Sequence, residues 1–536
     1  MRTLLKNGKI YDGTGNEPFI SDILIENDKI SKIASEIPSD SLQENDICYD
    51  LNGLSVSPGF IDAHSHNDWF AIKNEPQKYF EPFIRQGITT FVTGNCGLSS
   101  VGFEPDSQYV DKLGGGLFFF NDTTGRYGSV DEYFESINQN TPCNIATLIG
   151  HCSARASVAG MENRPLTKEE ETKMLSILEK ALQQGAAGIS LGLMYEPGLY
   201  ADTTELKKVA ALCTKYDRPL TVHARACSAV SMSYPELLGR SHLLRALDEL
   251  AEIARETKVK LHYSHAIFVG RRSFKDKGKF LDIIHNLKND GIDVQFDIYD
   301  EKLGVSVITV ILPSWYQSMT PKEKKNPINK IKLSILCKAS SILLGFGFDD
   351  IVVAYLGEGY EQYHGKTVHQ IAKELKTSDL KAYLHLCEIS NFNGRVNMGP
   401  YSTDEIISEL CKDDSCLYMT DAWVEDFGVQ NPAIYDCFPK FLMHSLKGSG
   451  DTMPNTIRKM TGATADRFNL PERGYLRSNY FADITIFDES KLQNGTPDIE
   501  QPFGIEKVFI GGKLILDQNA INETVLKSAG AAVKVR

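Results

Sequence analysis

The fold of this chain is decided by one stretch, Ser57-Pro58-Gly59-Phe60-Ile61-Asp62-Ala63-His64-Ser65-His66-Asn67-Asp68. An apolar run over residues 54–61 predicts a buried strand, and a His-x-His pair follows it. Side chains two residues apart on a strand point to the same face, so His64 and His66 can reach one metal ion. A His-x-His pair alone is more often an ordinary pair of histidines, so the metal interpretation depends on the other strands.

Composition limits the classes of protein to consider. The 536 residues are enough for one large domain and a smaller one, and the net charge of −13 without a basic block argues against nucleic-acid binding. No apolar run is long enough to span a membrane and no signal-peptide core follows the first residues, so we predict no membrane partner and a cytoplasmic location. Eleven cysteines without a Cys-x-x-Cys motif argue against a disulfide framework.

Strand-like apolar runs alternate with helical patterns through the middle of the chain, which predicts a parallel sheet. Eight such runs occur, at residues 54–61, 89–93, 144–149, 187–191, 220–222, 260–263, 293–298 and 417–420. Eight parallel strands with intervening helices predict an α/β fold of the (β/α)8 barrel type. The active site of such a barrel lies at the carboxyl ends of its strands.

The two ends of the chain are rich in hairpin-like alternation of apolar and polar residues. They predict a small β-sandwich domain built from residues 1–56 and 475–536, beside a catalytic barrel over residues 57–474. Over one hundred residues separate the seventh predicted strand from the eighth. We therefore expect an insertion at about 306–412 that serves as a lid.

Residues that bind metals or transfer protons follow most of the predicted strands. They are His64 and His66 after the first strand, Cys96 after the second, His151 after the third, His223 after the fifth, His265 after the sixth, Tyr299 after the seventh and Asp421 after the eighth. Only twelve histidines occur in the chain, and five of them fall at these boundaries. Imidazole, thiolate and carboxylate groups are the usual ligands of zinc, so metal-dependent hydrolysis is the leading hypothesis.

Each of these residues also has a structural interpretation. His223 and His265 could be hydrogen-bonded core histidines, and Cys96 a small buried residue. His151 could shape the pocket or simply fill space. Asp421 could cap the following helix, but a carboxylate beyond the last strand is also suited to accept a proton from the attacking water, and we favour that role.

Sequence motifs around these positions resemble the amidohydrolase superfamily, and within it the N-acyl-D-amino-acid deacylases, or D-aminoacylases. The resemblance spans nearly the whole chain. The motifs that carry it are Pro58-Gly59-Phe60-Ile61-Asp62-Ala63-His64-Ser65-His66, Gly94-Asn95-Cys96-Gly97, Gly150-His151, Gly185 to Tyr195, His223-Ala224-Arg225, Ser264-His265 and Thr420-Asp421.

This resemblance implies a zinc-bearing barrel beside a β-sandwich, which hydrolyses the amide bond of an N-acyl-D-amino acid or a related N-acyl compound. In this family Cys96, His223 and His265 would hold one tightly bound zinc ion. His64 and His66 would belong to a second, weaker zinc site, and we also count Asp421 among the metal ligands.

The remaining roles follow from the expected chemistry. Asp421 is the predicted proton acceptor, and Tyr299 or His151 is the predicted donor to the developing oxyanion. We assign Arg225 and Tyr195 to substrate binding. The substrate is a small molecule, and a homo-oligomer remains open.

Three positions depart from the family pattern and concern the substrate. Ile267 stands where a lysine is expected, Asn431-Pro432-Ala433 where His-Pro-Arg is expected, and Asp300 where a proline is expected. The two cations that would pair with a substrate carboxylate are therefore absent. The candidates to replace them are Arg225, Arg271, Arg272 and Lys302.

Two alternatives stay open at this point. A cyclic-amide hydrolase of the hydantoinase or dihydroorotase kind is favoured by the missing cations, but the fourth strand ends in Ser190-Leu191 where those enzymes carry a carboxylated lysine. The other alternative is a catalytically silent metal-binding barrel.

Overall fold

A computed structural model describes residues 2–39, 42–104, 107–109, 113, 127–138, 140–231, 233–234, 239–317, 319–324, 326–495 and 504–536. The strands are β1 (Arg2–Ile10), β2 (Phe19–Glu26), β3 (Lys29–Ala34), β4 (Ile47–Asp50), β5 (Ser55–Pro58), β6 (Phe60–Asp62), β7 (Ile88–Thr93), β8 (Asn144–Thr147), β9 (Ile149–Gly150), β10 (Ile189–Gly192), β11 (Pro219–His223), β12 (Lys260–Tyr263), β13 (Val294–Ile298), β14 (Gly304–Val307), β15 (Ile351–Tyr355), β16 (Arg395–Met398), β17 (Cys416–Tyr418), β18 (Ile484–Phe487), β19 (Ile505–Ile510), β20 (Lys513–Asp517) and β21 (Ala520–Ile521).

The α-helices are α1 (Asp68–Ala71), α2 (Gln77–Ile84), α3 (Val130–Ile137), α4 (His151–Ala159), α5 (Lys168–Gln183), α6 (Thr203–Lys215), α7 (His242–Thr257), α8 (Lys277–Asn289), α9 (Ser314–Gln317), α10 (Pro321–Lys324), α11 (Pro327–Leu344), α12 (Val368–Glu374), α13 (Asp379–Ile389), α14 (Asp404–Cys411), α15 (Ala433–Leu446), α16 (Met453–Met460), α17 (Gly462–Arg467), α18 (Glu489–Asn494) and α19 (Glu523–Leu526). No helix in the described ranges is long and apolar enough to cross a membrane.

The predicted (β/α)8 barrel is confirmed. Parallel pairing runs through β6, β7 and β8, and then through β9, β10, β11, β12, β13 and β17. The Leu148 N–H between β8 and β9 donates to the Thr93 carbonyl (2.8 Å), so β8 and β9 act as one barrel strand. The Ala63 N–H donates to the Tyr418 carbonyl (3.2 Å), which joins the last strand to the first. Strands β7, β8, β10 and β11 are buried along their whole length, as expected for parallel strands covered by helices.

A nine-stranded sheet combines both ends of the chain, in the order β21-β20-β19-β18-β5-β1-β2-β3 with β4 beside β1. The predicted strand over residues 54–61 was wrong in one respect, because it is divided between the two sheets at Gly59. β5 pairs with β1 and β18, whereas β6 pairs with β7. A Cβ at Gly59 would lie 2.3 Å from Thr89 Oγ1, so only glycine fits at this crossing.

The insertion before the last barrel strand forms its own antiparallel sheet, in the order β14-β16-β15, with helices α9 to α13. Helix α14 contacts β13 and β17 and so packs with the barrel, inside the predicted insertion boundary of residue 412. We propose that the insertion ends before α14, and we keep residues 1–56 with 475–536 and residues 57–474 as the proposed domain boundaries.

Asp483 links the barrel to the terminal sheet. Its Oδ2 accepts a hydrogen bond from Asn144 Nδ2 (2.9 Å), and its Oδ1 accepts one from the Gly511 N–H (2.8 Å). The same carboxylate pairs with Arg473 Nε at 3.2 Å, and both charged side chains are almost fully buried. Removal of one partner of a buried pair leaves the other charge uncompensated.

We expect Asp483→Ala to lower the free energy of unfolding by about 3–5 kcal/mol, because it leaves the buried Arg473 guanidinium without a counter-charge. Urea unfolding measures this. The double variant Asp483→Leu/Arg473→Met should regain most of the loss. Asp290→Ala, which breaks the exposed pair with Arg255, is the control and should cost at most about 1 kcal/mol. A loss for Asp483→Ala no larger than that of the control would contradict the assignment.

Candidate active site

Four strand ends of the barrel bring one thiol and three imidazoles together. Cys96 Sγ lies 3.4 Å from His64 Nε2, 3.6 Å from His223 Nδ1 and 3.6 Å from His265 Nε2. All four residues are buried. The Nε2 atom of His223 and the Nδ1 atom of His265 have no hydrogen-bond partner among the described residues. The nitrogens that face the sulfur are Nδ1 of His223 and Nε2 of His265, and imidazole nitrogens arranged around one buried thiol are the donor set of a zinc site.

Asp421 lies at the open edge of this cluster. Its Oδ1 is 3.4 Å from His64 Nε2 and 3.5 Å from His66 Nε2. About a quarter of the Asp421 side chain (24%) is exposed, whereas the two histidines are almost completely buried. Burial opposes the charge on Asp421, but His64 and His66 hold the pKa of this carboxyl below its usual value. Asp421 is therefore an ionised carboxylate that solvent or a substrate can reach.

Two groups of three residues could each hold a metal ion, because their ligand atoms all lie within 4.8 Å of one another. The first group is His64, Cys96 and His265, and the second is His64, His66 and Asp421, so His64 belongs to both. The sequence prediction placed His64 only in the second site and His223 in the first. The structure brings all of these residues together but sets His64 between the two groups, with His223 beside Cys96. We keep the division of ligands between two metal ions as a proposal.

Three of these residues have a left-handed backbone, with φ of 54° at Cys96, 36° at His265 and 46° at Asp421. Such a conformation costs a non-glycine residue about 1–3 kcal/mol and persists only where the surroundings impose it. The Asp421 N–H donates to the His64 carbonyl (3.1 Å), and the His265 N–H donates to Asp297 Oδ1. Strain of this kind is concentrated at functional sites.

Asp297 was missed by the sequence analysis, although it precedes Tyr299 by two residues on the seventh barrel strand. Its Oδ2 lies 2.7 Å from His262 Nε2 and 3.4 Å from His64 Nδ1. Burial disfavours its charge, but His262 and His64 hold the pKa of Asp297 far below its usual value. A carboxylate on the far nitrogen of an imidazole fixes the orientation of a ligating histidine.

Asp62 holds the first and last strand ends together, and the sequence analysis gave it no role. Its Oδ1 accepts hydrogen bonds from the Thr420 N–H (3.0 Å) and the His64 N–H (3.1 Å). Its Oδ2 accepts from Thr420 Oγ1 (2.5 Å). Because Thr420 precedes Asp421, this carboxylate fixes Asp421 relative to His64.

Three tyrosines lie near the cluster: Tyr299 and Tyr401 are buried, and Tyr195 is partly buried. The Tyr195 ring lies 4.7 Å from the His223 ring. Burial and then the charge on Asp421 raise the pKa of Tyr299 well above its usual value, and burial raises the pKa of Tyr401 as well. All three phenols are therefore neutral hydroxyl donors near Asp421. Tyr401 follows β16, and no motif in its surroundings marked it.

Two predicted site residues make structural contacts instead. Nε2 of His151 is 2.7 Å from Glu205 Oε1, which also accepts from Arg155 Nε (3.1 Å). The Arg225 guanidinium pairs with Glu249 (2.8 Å) and donates to the Leu199 carbonyl (3.1 Å). These contacts favour a structural role for both side chains.

Two of the other candidate cations, Arg271 and Lys302, are also engaged by carboxylates. Arg271 forms a two-point pair with Asp350 (2.7 and 2.8 Å), and Lys302 pairs with Asp404 (2.8 Å). Arg272 is exposed. Asn431, at the position of the expected histidine, accepts from the Ala433 N–H (3.1 Å) and begins α15.

Comparison with known proteins places this site in a family. The amidohydrolase family model matches residues 48–295, a range that contains His64, His66, Cys96, His223 and His265. A D-aminoacylase from Alcaligenes xylosoxydans xylosoxydans is 27% identical over 526 residues, which cover 96% of this chain and 95% of that protein. Residues 48–295 of the chain therefore carry an amidohydrolase family domain. The resemblance inferred from the motifs is thus confirmed.

Further relatives of this amidohydrolase agree. An N-acyl-D-aspartate deacylase from the same organism is 25% identical, with 87% of this chain and 83% of that protein covered. The crystal structure of an N-acyl-D-glutamate deacylase from Bordetella bronchiseptica, with zinc and a phosphonate inhibitor, superposes with a TM-score of 0.79 at 22% identity over 99% of each chain. At that identity the superposition establishes the shared fold.

We expect Cys96→Ala to weaken zinc binding, because Cys96 contacts three of the imidazoles. Loss of a residue that only supports a metal ligand costs roughly 10–100-fold in affinity, and the loss for Cys96→Ala should be larger. Equilibrium dialysis with zinc and elemental analysis measure this. Cys213→Ala removes another buried thiol, on α6, and is the matched control. Equal zinc affinity in the two variants would contradict the proposed site.

Glu301, two residues beyond Tyr299, is buried in a cluster with Lys440 and Asp436. Lys440 Nζ lies 2.5 Å from Glu301 Oε1 and 2.9 Å from Asp436 Oδ1. Burial raises the pKa of Glu301 to about 7; Lys440 opposes this shift, and the nearby carboxylates of Asp436 and Asp300 add to it. A carboxyl whose pKa is raised on folding stabilises the protein below its unfolded pKa, and this contribution is lost as the pH rises through the folded pKa.

We therefore expect the Glu301 contribution to stability to decline between about pH 4.5 and pH 7, by on the order of 2–3 kcal/mol. Glu301→Gln should remove this part of the pH dependence. Thermal unfolding of both proteins across that range tests the sign. Glu135→Gln, at an exposed position of α3, is the control. An unchanged pH profile in Glu301→Gln would refute the interpretation.

Proposed function

We propose that this amidohydrolase cleaves the amide bond of an N-acyl-D-amino acid or a related N-acyl compound, using zinc held by strand-end residues of the barrel. The observation that carries the proposal is the position of Asp421 at the exposed edge of two ligand groups that share His64. The donor set of one sulfur, several imidazole nitrogens and a carboxylate fits zinc. One tightly bound ion and a second, weaker one match these two groups.

Zinc in this site would polarise the amide carbonyl and lower the pKa of water. Asp421 takes the proton of the attacking water and returns it to the leaving nitrogen. Its contacts with His64 and His66 keep it ionised and therefore ready to accept. Asp62 holds it at the right place through Thr420.

Tyr299 is the better candidate for the oxyanion donor. Its phenol is buried, neutral and within electrostatic range of Asp421, whereas the Nε2 atom of His151 is already taken by Glu205. A preorganised hydroxyl in a site closed to water stabilises developing negative charge. Tyr195, whose ring packs against His223, and Tyr401 complete the surface on which a substrate would lie.

The identity of the substrate is the finer part of the proposal. The curated relatives are named for N-acyl-D-amino acids, which carry a free carboxylate. In this chain Arg225, Arg271 and Lys302 are each paired with an acidic side chain. This observation favours, as a second candidate, a substrate without a free carboxylate, such as an N-acyl amide or a cyclic amide.

We expect Asp421→Asn to retain zinc and lose about 10²–10⁴-fold in kcat, the range typical of a general acid–base group. Asp426→Asn serves as the control. Asp426 lies in the same loop, and its half-exposed carboxylate pairs with Lys73 and Lys78. Turnover and metal content are measured on both. If the Asp421→Asn variant turned over substrate at a rate near that of the wild type, Asp421 would not be the proton acceptor.

A substrate panel separates the two candidates. N-acyl-D-amino acids, their amides and esters, and cyclic ureides are offered to zinc-loaded and chelated protein. Zinc-dependent release of free D-amino acid supports the deacylase. Activity confined to carboxylate-free or cyclic compounds supports the second candidate, and the absence of zinc-dependent activity on the whole panel would overturn both.

A further inference from the structure

Helix α11 in the insertion has two apolar faces. Leu333 is buried against the protein, whereas four isoleucines point to solvent: Ile328 (72% exposed), Ile331 (61%), Ile335 (65%) and Ile342 (64%). With about 3.6 residues per turn, these four lie within about 60° of the helix circumference. They form one continuous line, which we call the isoleucine stripe. Single exposed apolar residues are common, whereas four aligned on one helix face make a candidate interaction surface.

Lysines border the stripe on both sides. Helical geometry places Lys332 along one edge and Lys338 along the other, and both are exposed. Lys322, just before the helix, is exposed as well, and so is Lys330, which lies on the side of the helix away from the stripe. None of these four lysines forms an ion pair with a described carboxylate; the Lys332 ammonium lies 4.4 Å from the Trp315 ring centre. This basic surface belongs to a chain whose net charge is −13.

The end of α11 rests on the catalytic end of the barrel. Gly345, directly after α11, accepts a hydrogen bond from the Arg271 N–H (3.3 Å), in the loop that follows β12 and His265. The same loop is tied to the insertion by the Phe268 N–H, which donates to the Tyr401 carbonyl (2.7 Å). The loop that follows His265 therefore contacts both the end of α11 and the segment that carries Tyr401.

We propose that α11 is an interfacial helix that docks this protein onto an anionic lipid surface. An apolar stripe bordered by lysines suits this occupant, because the isoleucines enter the boundary of the acyl chains while the lysine ammonium groups reach the lipid phosphates. Our prediction of no membrane partner considered only spanning segments, and this proposal replaces it.

A second copy of the chain fits the stripe less well. The stripe is about 20 Å long and about 10 Å wide, or roughly 200 Å², far below the roughly 800 Å² per partner of a stable protein interface. Antiparallel pairing of two α11 helices about Ile335 would also bring like edges together, so that Lys332 of one copy lies on the same side as Lys332 of the other, and Lys338 on the same side as Lys338. Like charges there oppose association, whereas anionic headgroups neutralise them.

Vesicle co-sedimentation of the zinc-loaded protein tests the proposal. Vesicles of phosphatidylcholine alone are compared with vesicles that also contain phosphatidylserine, at low and high salt. We expect binding only to the anionic vesicles, weakened by salt. Ile331→Ser/Ile335→Ser should reduce binding about 100-fold, and Lys332→Gln/Lys338→Gln about 25-fold.

Ile20→Ser is the matched control. Ile20 lies on β2, far along the chain from α11, and has a similar exposure (59%), so this variant should bind like the wild type. Circular dichroism establishes that each variant folds. Two outcomes would overturn the proposal: no binding of the wild type to anionic vesicles, or equal binding by the isoleucine double variant. Sedimentation velocity would reveal a dimer lost in that variant, which would assign the stripe to a second copy instead.

Discussion

Burial of the Cys96 thiol is the constraint on which the rest of the site depends. Burial raises the pKa of this thiol to about 11, although His64 beside it favours the thiolate. A buried thiolate therefore requires a nearby cation, and the surrounding imidazoles supply the nitrogen ligands that would hold one. The left-handed backbone at Cys96, His265 and Asp421 is the conformational cost of aiming these groups at one point. Asp62 and Asp297 offset that cost with hydrogen bonds from the same backbone segments.

Much of this arrangement could be predicted from the sequence. The alternation of apolar runs and helices predicted the barrel, and parallel strands end at one edge, so residues far apart in the chain were expected to meet there. The ends of the strands are also where short motifs are most distinctive. His64, His66, Cys96, His223, His265 and Asp421 were found for this reason, and the structure brings them together.

Other features were beyond the reach of sequence patterns for physical reasons. The division of residues 54–61 at Gly59 follows from pairing with two different sheets, through β18 on one side and β7 on the other, which a local apolar run cannot reveal. In the sequence Asp297 is a single polar residue within a strand. Only the structure shows that it lies between His262 and His64 and can orient them. Tyr401 enters the site from the insertion. Arg225, in the loop after β11, appeared free to bind substrate because its partner, Glu249, lies 24 residues further along the chain, on α7.

The most direct test of the central claim is anomalous diffraction at the zinc absorption edge from crystals of the zinc-loaded protein. Zinc held by these strand-end residues would give a strong peak within bonding distance of Cys96 Sγ and of His265, with any second peak between His66 and Asp421. A map without a peak at Cys96, or with zinc bound only elsewhere on the molecule, would contradict the claim.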